Sequence, residues 1–138
     1  MEDPARRSNR SAAQRTGDDA EDLVAARLRR SGWGVLGRNV RIGRNELDII
    51  AVDPGPPREL VIVEVRFRRS RAYGLAEDTI DRAKRGRLRA AVGRLLDERL
   101  AGRTQWPRLP IRVDLVVVEP APAPGGDLRI RHHRAIAL

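Results

Sequence analysis

Two charged strands joined by a rigid turn, within the stretch from Asn45 to Arg69, constrain the fold of this chain more than any other feature. The stretch reads NELDIIAVDPGPPRELVIVEVRFRR. Its centre, Pro54 to Pro57, is a strong turn signal, and the aliphatic and β-branched residues on either side favour strands. We therefore predict one strand over residues 46–52 and another from Leu60 to Arg66. Both strands hold charged side chains where apolar ones would be expected.

The alternation of side chains along a strand predicts that the carboxylates of this stretch meet. Glu46 and Asp48 should share one face of the first strand, and Glu64 and Arg66 one face of the second. The opposite faces are predicted to be apolar, with Leu47, Ile49 and Ala51 in the first strand and Val61, Val63 and Val65 in the second. A hairpin would then gather Asp48, Glu64 and also Glu46 at one end of the sheet. Three carboxylates repel each other there unless a cation joins them.

The composition describes a globular domain with an aliphatic core. The chain has 138 residues, of which 41% are hydrophobic and 3% aromatic, a length that suits one domain. We predict a disordered basic arm over residues 1–18, which lack apolar periodicity, and a single domain over residues 19–138. The chain contains no cysteine, which excludes disulfides and thiolate metal sites. No apolar run reaches the length of a signal sequence or a membrane span, so we expect a cytoplasmic protein with no membrane partner.

The charge balance is strongly basic. Lys and Arg together number 28, against 19 Asp and Glu, which gives a net charge of +9. So large a positive charge on a small domain favours a polyanionic partner such as nucleic acid. An alternative remains open, because a GC-rich genome uses Arg wherever Lys would serve. The charge is evidence about association and not about activity.

A first helix is predicted before the strands. It runs from Asp19 to Ser31, with Asp18 or Asp19 as its cap and Gly32 at its end. Glu21 lies at the rim of its apolar face. There it can interact with the helix dipole or reach the carboxylates of the sheet.

A second helix is predicted from Thr79 to Leu100. Lys84 falls on its buried stripe near the start, so it can point toward the end of the sheet that holds the carboxylates. The outer side of this helix carries an exposed basic stripe of Arg82, Arg85 and Arg89. Before the helix comes a basic cluster, Arg66, Arg68, Arg69 and Arg71, which suits backbone phosphates or forms a solvated loop.

Three further strands complete the prediction. A short, irregular strand runs from Trp33 to Arg41, and Leu128 to His133 forms an edge strand. Ile111 to Glu119 is a β-branched run long enough to be a central strand. Asp114 interrupts that run and can act as a structural hydrogen-bond acceptor. The two adjacent histidines of the edge strand face opposite ways, so they cannot share a metal and are interpreted as surface residues.

These motifs, in this order, resemble those of a known family. E-x-D on one strand followed by E-V-R on the next is similar to the PD-(D/E)xK signature of restriction-endonuclease-like nucleases. More closely, the chain resembles the YraN family of small bacterial proteins. That family shows a G-E-x-D-L-I-A strand, an F-V-E-V-K-x-R strand, an F-G step and a K-R-x-R-L helix. The similar stretches here are NELDIIA (45–51), VIVEVRFR (61–68), YG (73–74), KRGRL (84–88), AEDLVAARLRRSGW (20–33) and RVDLVVV (112–118).

The resemblance implies an α/β fold, with three α/β/α layers around a mixed sheet of about five strands, like that of archaeal Holliday junction resolvases. It carries four motif positions over to this chain: Glu21, Asp48, Glu64 and Arg66. In nucleases of this superfamily the acidic residues hold one or two Mg²⁺ ions. Asp48 and Glu64 would accordingly ligate Mg²⁺ or Mn²⁺, with the backbone carbonyl of Val65 as a third ligand. Resolvase-like relatives are often dimers, so a homodimer is an open alternative here.

The chain departs from the family pattern at the motif lysine, which is Arg66 here, and at Ala20 and Asn45, where the family has Gly. Arginine binds phosphate but does not lose a proton near neutral pH, so Arg66 cannot be a general base. Lys84 is a candidate to replace the lysine in space.

Three hypotheses follow: a metal-dependent nuclease acting on structured DNA such as branched DNA, a nucleic-acid-binding module with reduced chemistry, and a structural ion cluster in an interaction protein. The predicted nucleic-acid contacts are Arg68, Arg69, Arg71, Lys84 and Arg85.

Overall fold

A computed structural model of the protein describes residues 12–68, 82–120 and 128–138. Within these residues the chain forms two helices and five strands. In chain order they are α1 (Ala12–Arg30), β1 (Gly34–Ile42), β2 (Asn45–Asp53), β3 (Glu59–Phe67), α2 (Arg82–Leu100), β4 (Ile111–Glu119) and β5 (Arg129–His133). Neither of the described helices has the length and apolar character needed to cross a membrane.

The strands form one mixed sheet in the order β1-β2-β3-β4-β5. β1 and β2 make an antiparallel hairpin, and β3 lies antiparallel to β2. β3 and β4 run parallel, as the long crossover through α2 requires, and β5 returns antiparallel to β4. The strand over residues 111–119 is therefore an interior strand and β5 is an edge strand, as the sequence predicts.

Each face of the sheet is covered by one helix. The core on the α1 face includes Val24, Leu28, Trp33, Ile49, Val61, Val63 and Val116. The core on the α2 face includes Leu47, Ile50, Leu60, Ile62, Leu88, Ala91 and Leu95. Burial on both faces explains why β3 and β4 read as nearly continuous apolar runs. The result is a three-layer α/β/α fold with a mixed five-stranded sheet, which confirms the predicted fold class and is consistent with a nuclease-like architecture.

Both helices end at a glycine with positive φ. The N–H of Trp33 donates to the carbonyl of Leu28 at 3.0 Å around Gly32, whose φ is 87°. An equivalent bond of 2.8 Å closes α2 around Gly102, whose φ is 69°. These are Schellman-type caps, in which the left-handed residue is best tolerated as glycine. Both predicted helix ends are confirmed.

The predicted start of the first helix at Asp19 is wrong, because α1 begins at Ala12. Residues 12–15 read Ala-Ala-Gln-Arg, all of which have high intrinsic helix propensity. That propensity extends the helix past the aspartates that could have capped it. Residues 1–11 lie outside the described part of the chain, so the disorder of the basic arm stays a prediction there. The first residues of the predicted second helix, 79–81, also lie outside it.

The predicted alternation in the first carboxylate strand is wrong at Leu47. Leu47 packs in the core on the α2 face, whereas Ile49 and Ala51 pack in the core on the α1 face. Strict alternation would place all three on one face, so the pleat is interrupted between Leu47 and Ile49, at Asp48. On the adjacent strand β1, Asn39 lies between the residues that pair with Leu47 and Ile49. Its φ of 50° marks the same irregularity.

Candidate functional site

The sheet opens at one end, where β2 separates from β3. The ladder between them stops at the pair Ile49 and Val63, although both strands continue beyond it. β2 stays paired with β1 as far as Asn45, and β3 stays paired with β4 as far as Phe67. The β1–β2 hairpin thus diverges from the β3–β4 pair and leaves a gap. We call the side chains that converge on this gap the acidic site: Glu21, Asp48, Glu64 and Lys84.

Asp48 occupies the first position at which β2 has lost its pairing with β3. Its Oδ2 accepts a hydrogen bond of 2.8 Å from the backbone N–H of Val65. In a continued ladder the N–H groups on this side of β3 would pair with the backbone of β2. Here the carboxylate of Asp48 accepts the hydrogen bond in place of a β2 carbonyl. This bond compensates for placing a charged residue within a strand, and it keeps the carboxylate between β2 and β3.

Glu64 reaches the gap from β3. It is 4% exposed, and Lys84 near the start of α2 places its Nζ 2.5 Å from Oε1 of Glu64. The other oxygen, Oε2, is buried and accepts no hydrogen bond from the described residues. A buried carboxylate oxygen without a donor is destabilising unless a cation or a water molecule satisfies it.

Glu21 reaches the same gap from α1, on the opposite face of the sheet from Lys84. Its carboxyl group interacts with that of Asp48. Arg38 of β1 anchors this part of α1, with one guanidinium nitrogen 3.8 Å from Oε2 of Glu21 and another 2.7 Å from Oδ1 of Asp22. Of the two interpretations left open for Glu21, the structure favours the one in which it reaches the carboxylates of the sheet.

The carboxyl groups of the acidic site hold protons unusually tightly. Burial raises the pKa of Asp48 to about 6, although a backbone hydrogen bond opposes the rise. Burial and then the charge of Asp48 raise the pKa of Glu64 to about 7, against the opposing effect of Lys84. Burial also raises the pKa of Glu21. Neighbouring carboxyl groups with raised pKa values are typical of functional sites.

The basic residues predicted near the acidic site fall in different environments. Arg66 is half-buried on β3, and Arg85 is exposed on α2. Arg68 was expected in an exposed cluster, but it is only 9% exposed. Arg68 directly follows β3, and its backbone N–H donates to the carbonyl of Val118 in β4 at 2.8 Å, which holds the residue against the sheet. Arg69 and Arg71 lie outside the described residues.

The donor chemistry of the acidic site suits a hard divalent cation. Across the described ranges, no group of three Asp, Glu, His or Cys side chains is placed to hold a metal. Glu46, the third carboxylate that the sequence places near this end of the sheet, is exposed. Two carboxylates nevertheless meet in the gap, and the unsatisfied Oε2 of Glu64 offers an oxygen ligand. Asp48 and Glu64 therefore fit Mg²⁺ or Mn²⁺ as a two-carboxylate site that water or a backbone carbonyl would complete.

Lys84 carries a compositional signal that the sequence analysis missed. It is the only lysine in the chain, and every other member of the 28 basic residues is arginine. A chain that uses arginine at all other basic positions but keeps lysine beside Glu64 points to a need for an ammonium group there. Lysine is a compact charge that can exchange a proton, whereas arginine is planar and always charged. The uniqueness of Lys84 is readable in the sequence, but its contact with Glu64 is not.

A second charged cluster lies at the opposite end of the sheet. Arg112 of β4 binds Asp114 through two hydrogen bonds of 2.8 and 2.9 Å. It also forms ion pairs with Asp53 at 3.0 Å and with Glu59 at 2.9 Å. Asp114 is fully buried and accepts a further bond of 2.9 Å from the N–H of Ala135. We call this cluster the arginine network: Asp53, Glu59, Arg112, Asp114 and His132.

Asp114 is a structural hydrogen-bond acceptor, as the sequence predicts. Burial alone would raise its pKa, but hydrogen bonds from His132 and Arg112 outweigh burial and lower the pKa to about 2. The interpretation of both histidines as surface residues is wrong for His132. Its Nε2 lies 2.8 Å from Oδ2 of Asp114, and its ring centroid lies 5.6 Å from that of Trp33. The register of β5 pairs His132 with Val116, two residues beyond Asp114 on the same face.

Comparison with known proteins agrees with the resemblance seen in the motifs. Residues 20–118 match the uncharacterised protein family UPF0102. A UPF0102 protein from Symbiobacterium thermophilum is 40% identical over 119 residues, which cover 86% of this chain and 92% of the relative. A UPF0102 protein from Pseudomonas aeruginosa (strain LESB58) is 38% identical over 112 residues, which cover 81% of this chain and 84% of the relative.

The family match contains the whole acidic site. It begins at residue 20, just before Glu21, and extends to residue 118 in β4, so it also includes Asp48, Glu64 and Lys84. A third relative, from Roseiflexus castenholzii, is 41% identical over 104 residues, covering 75% of this chain and 78% of its own. The chain therefore belongs to the UPF0102 family, which is the YraN family that its motifs resemble.

Proposed function

We propose that the protein is a metal-dependent nuclease that hydrolyses phosphodiester bonds of DNA at the acidic site. The observation that carries this proposal is a buried pair of carboxyl groups with raised pKa values, Asp48 and Glu64, beside the only lysine of the chain. Burial of two carboxylates with an unsatisfied oxygen is a poor arrangement for stability alone. The same arrangement of carboxylates is well suited to binding a cation, and a bound cation would in turn attract a negatively charged substrate.

Asp48 and Glu64 are the residues that would hold Mg²⁺ or Mn²⁺, since both ions prefer oxygen ligands. When bound, such an ion would lower the pKa of a coordinated water and stabilise charge on the phosphate. Glu21 interacts with Asp48 from the side of α1, so we assign it a positioning role. The N–H of Val65 keeps Asp48 in the gap and has a similar supporting role.

Lys84 is proposed to replace the motif lysine in space. Arg66 keeps its positive charge but does not exchange a proton near neutral pH. The ammonium group of Lys84 contacts Glu64 from α2. From that place it can donate hydrogen bonds to an attacking water or to a phosphate oxygen, which orients the one and stabilises charge on the other. Arg66 would bind the phosphate.

Nucleic acid is the proposed substrate because the surface beside the acidic site is basic. The net charge is +9, and the first turns of α2 carry four exposed arginines: Arg82, Arg85, Arg87 and Arg89. Arginines of this kind contact backbone phosphates and position a nucleic acid without reading its sequence. The choice of DNA, and of branched DNA in particular, rests on the resemblance to resolvases, as does the open alternative of a homodimer.

Cleavage of a branched DNA substrate with Mg²⁺ tests the proposal. We expect cleavage by the wild-type protein and a loss of about 10²- to 10³-fold in rate for Asp48→Asn and for Glu64→Gln, since each replaces an ionisable carboxyl group by a neutral amide and keeps the side-chain shape. Asp97→Asn is the matched control, because Asp97 is exposed on α2 away from the gap. Its rate should equal that of the wild type. Cleavage that persists in both acidic-site variants would contradict the proposal.

A rescue experiment tests the assignment of Lys84. Lys84→Ala should lose cleavage, and adding Arg66→Lys in the same chain should restore part of it, because the second change returns lysine to the motif position. A merely structural role for Lys84 predicts no rescue. Circular dichroism on both variants checks that the fold is retained.

A nucleic-acid-binding module with reduced chemistry is the second candidate function. Two observations favour it: arginine stands at the motif position, and the described residues contain no three-residue metal group. This candidate predicts salt-sensitive binding of branched DNA but no cleavage with Mg²⁺ or Mn²⁺. Calorimetric titration of either ion, with Asp48→Asn as the control, would then show no binding that depends on the acidic site.

A further inference from the structure

A small cavity lies beside the acidic site, between the β1–β2 turn and the start of α2. Its volume is about 240 Å³, and Arg44 of the turn and Arg87 of α2 line it together with Glu46 and Lys84. Lys84 therefore belongs to two places, since it borders the cavity while its ammonium group contacts Glu64. The cavity is smaller than typical sites for drug-sized ligands and suits a compact polar group.

The turn that borders the cavity packs beside α2. Gly43 is the first of the two residues that join β1 to β2, and its φ is 61°. The side chain of Arg94 lies beside the turn, and a Cβ atom at position 43 would meet Cδ of Arg94 at 3.4 Å, an ordinary van der Waals contact. Glycine suits this backbone conformation. Arg44, the next residue of the turn, lines the cavity together with Arg87.

Arg44 and Arg87 carry charge that the described residues leave unneutralised. Both are exposed, and neither makes an ion pair or a hydrogen bond within the described chain. Arg112 shows the contrast, because it binds three carboxylates. Among the described residues that line the cavity, Glu46 is the acidic one. Its single negative charge stands against the two positive charges of Arg44 and Arg87. The cavity therefore has a surplus of positive charge.

We propose that this cavity binds a backbone phosphate of the nucleic-acid substrate, next to the phosphate held at the acidic site. The inference rests on the proposed function for its substrate, although phosphate binding in the cavity can be measured without cleavage. Two planar guanidinium groups at one small cavity suit bidentate contacts with phosphodiester oxygens. Lys84 forms the wall shared by the two places, so a strand seated on Arg44 and Arg87 would cross Lys84 to reach the gap. The two arginines would thereby determine which bond is presented for cleavage.

Binding of a short DNA oligonucleotide in the presence of EDTA tests the inference without chemistry. The double variant Arg44→Ala/Arg87→Ala removes both charges from the cavity. Its matched control is Arg58→Ala/Arg108→Ala, which removes two exposed arginines next to the starts of β3 and β4, at the other end of the sheet. Fluorescence anisotropy over a range of salt concentrations gives the dissociation constants. The slope of their logarithm against that of the salt concentration reports the number of phosphate contacts.

The cavity variant should bind about tenfold more weakly and should lower the salt slope by about 1, the value for one lost phosphate contact. The control should leave both quantities as in the wild type. Glu46→Gln should act in the opposite direction and strengthen binding, because it removes negative charge from the cavity. Equal slopes for the cavity variant and the wild type would overturn the inference, and so would equal losses in the cavity and control variants.

Cleavage assays on the same proteins separate a failure of this inference from a failure of the proposed function. If Asp48→Asn abolishes cleavage while the cavity variant binds DNA as the wild type does, the nuclease proposal is supported and phosphate binding in the cavity is contradicted. If the cavity variant lowers the salt slope but the wild type does not cleave, the cavity binds phosphate on a protein that is not a nuclease. Because Arg44 and Arg87 are both exposed, the variant should keep its fold, which circular dichroism checks.

Discussion

The two ends of the sheet bury carboxylates with opposite results. At the acidic site, Asp48 and Glu64 have raised pKa values, and one oxygen of Glu64 lacks a donor among the described residues. At the arginine network, Asp114 is buried more completely, yet hydrogen bonds from His132 and Arg112 lower its pKa. Burial is common to both ends, so the partners decide the sign of the shift.

This difference supports the proposal that the arginine network serves stability and the acidic site serves function. The arginine network joins β2, β3 and β4 through Asp53, Glu59 and Asp114, all of which bind Arg112. The acidic site joins elements as well, but it leaves an unmet need for positive charge. Stability alone would not select such a site, whereas binding a cation and a phosphate would. The arginine network, at the other end of the same sheet, shows that this chain can neutralise a buried carboxylate.

Removal of Asp114 should cause the largest loss of stability. Asp114→Ala removes the buried carboxylate that Arg112 and His132 share, although Arg112 keeps its ion pairs with two other carboxylates. Removing one side of a buried ion pair costs about 3–5 kcal/mol, and we expect the lower end of that range. Asp48→Ala is the matched variant at the other end. It removes a carboxylate of raised pKa and the bond from Val65, and should cost only about 1 kcal/mol. Urea unfolding followed by circular dichroism measures both, and equal losses would remove the distinction between the two ends.

Glu64→Gln should change how stability depends on pH. The pKa of Glu64 rises from the ordinary value of 4.5 to about 7 in the folded protein. The folded protein therefore keeps a proton that the unfolded chain loses, and the resulting stability is present below pH 4.5 and lost as the pH rises through about 7. The variant lacks this loss. Between pH values of about 5 and 8, its free energy of unfolding should decline less than that of the wild type, by on the order of 1 kcal/mol.

Asp114 supplies a reference of opposite sign for that measurement. Its pKa falls from 3.8 to about 2, so its contribution to stability is present above pH 3.8 and lost only as the pH falls through about 2. The contribution of Asp114 is therefore constant near neutral pH, so Asp114 adds nothing to the pH dependence of unfolding measured there. Parallel stability curves for the wild type and Glu64→Gln would contradict the raised pKa of Glu64.

Removal of Arg134 should have the smallest effect. One of its guanidinium nitrogens lies 3.6 Å from Oδ2 of Asp53, but its side chain is 61% exposed. Arg112 already binds Asp53 at 3.0 Å. Because exposed ion pairs contribute about 0–1 kcal/mol, Arg134→Ala should lower the free energy of unfolding by less than about 1 kcal/mol. A loss as large as that of Asp114→Ala would show that the rim of the network matters as much as its centre.

Much of the fold is predictable from the sequence because its signals are local. β4 matches the predicted strand from Ile111 to Glu119 at both ends, since a β-branched run buried on both faces has no competing helical pattern. Gly32 and Gly102 end the helices for an equally local reason, the left-handed conformation. The start of α1 fails because two local signals compete, and the propensity of the residues after Ser11 prevails over the capping aspartates.

The candidate site is less predictable because it depends on distant parts of the chain. Alternation brings Asp48 and Glu64 to one end of the sheet, and the structure places them together. Alternation reveals neither that the β2–β3 ladder stops at Ile49 nor that the pleat is interrupted at Asp48, and for the second reason the predicted face of Leu47 is wrong. The contact of Lys84 with Glu64 depends on how α2 packs against β3, which no pattern within either segment specifies.

The carboxylate of Asp48 replaces one backbone hydrogen bond of the β2–β3 ladder, so the amide of Val65 can report on the position of that carboxylate. The N–H of Val65 is held by Oδ2 of Asp48 and not by the backbone of β2. Its protection from hydrogen exchange therefore depends on the position of a single side chain, whereas the paired amides earlier in β3 depend on the whole sheet. An ion that drew Asp48 toward itself would expose this one amide. Binding of an ion in the gap would then be detected as faster hydrogen exchange at the amide of Val65, with the other amides of β3 unchanged.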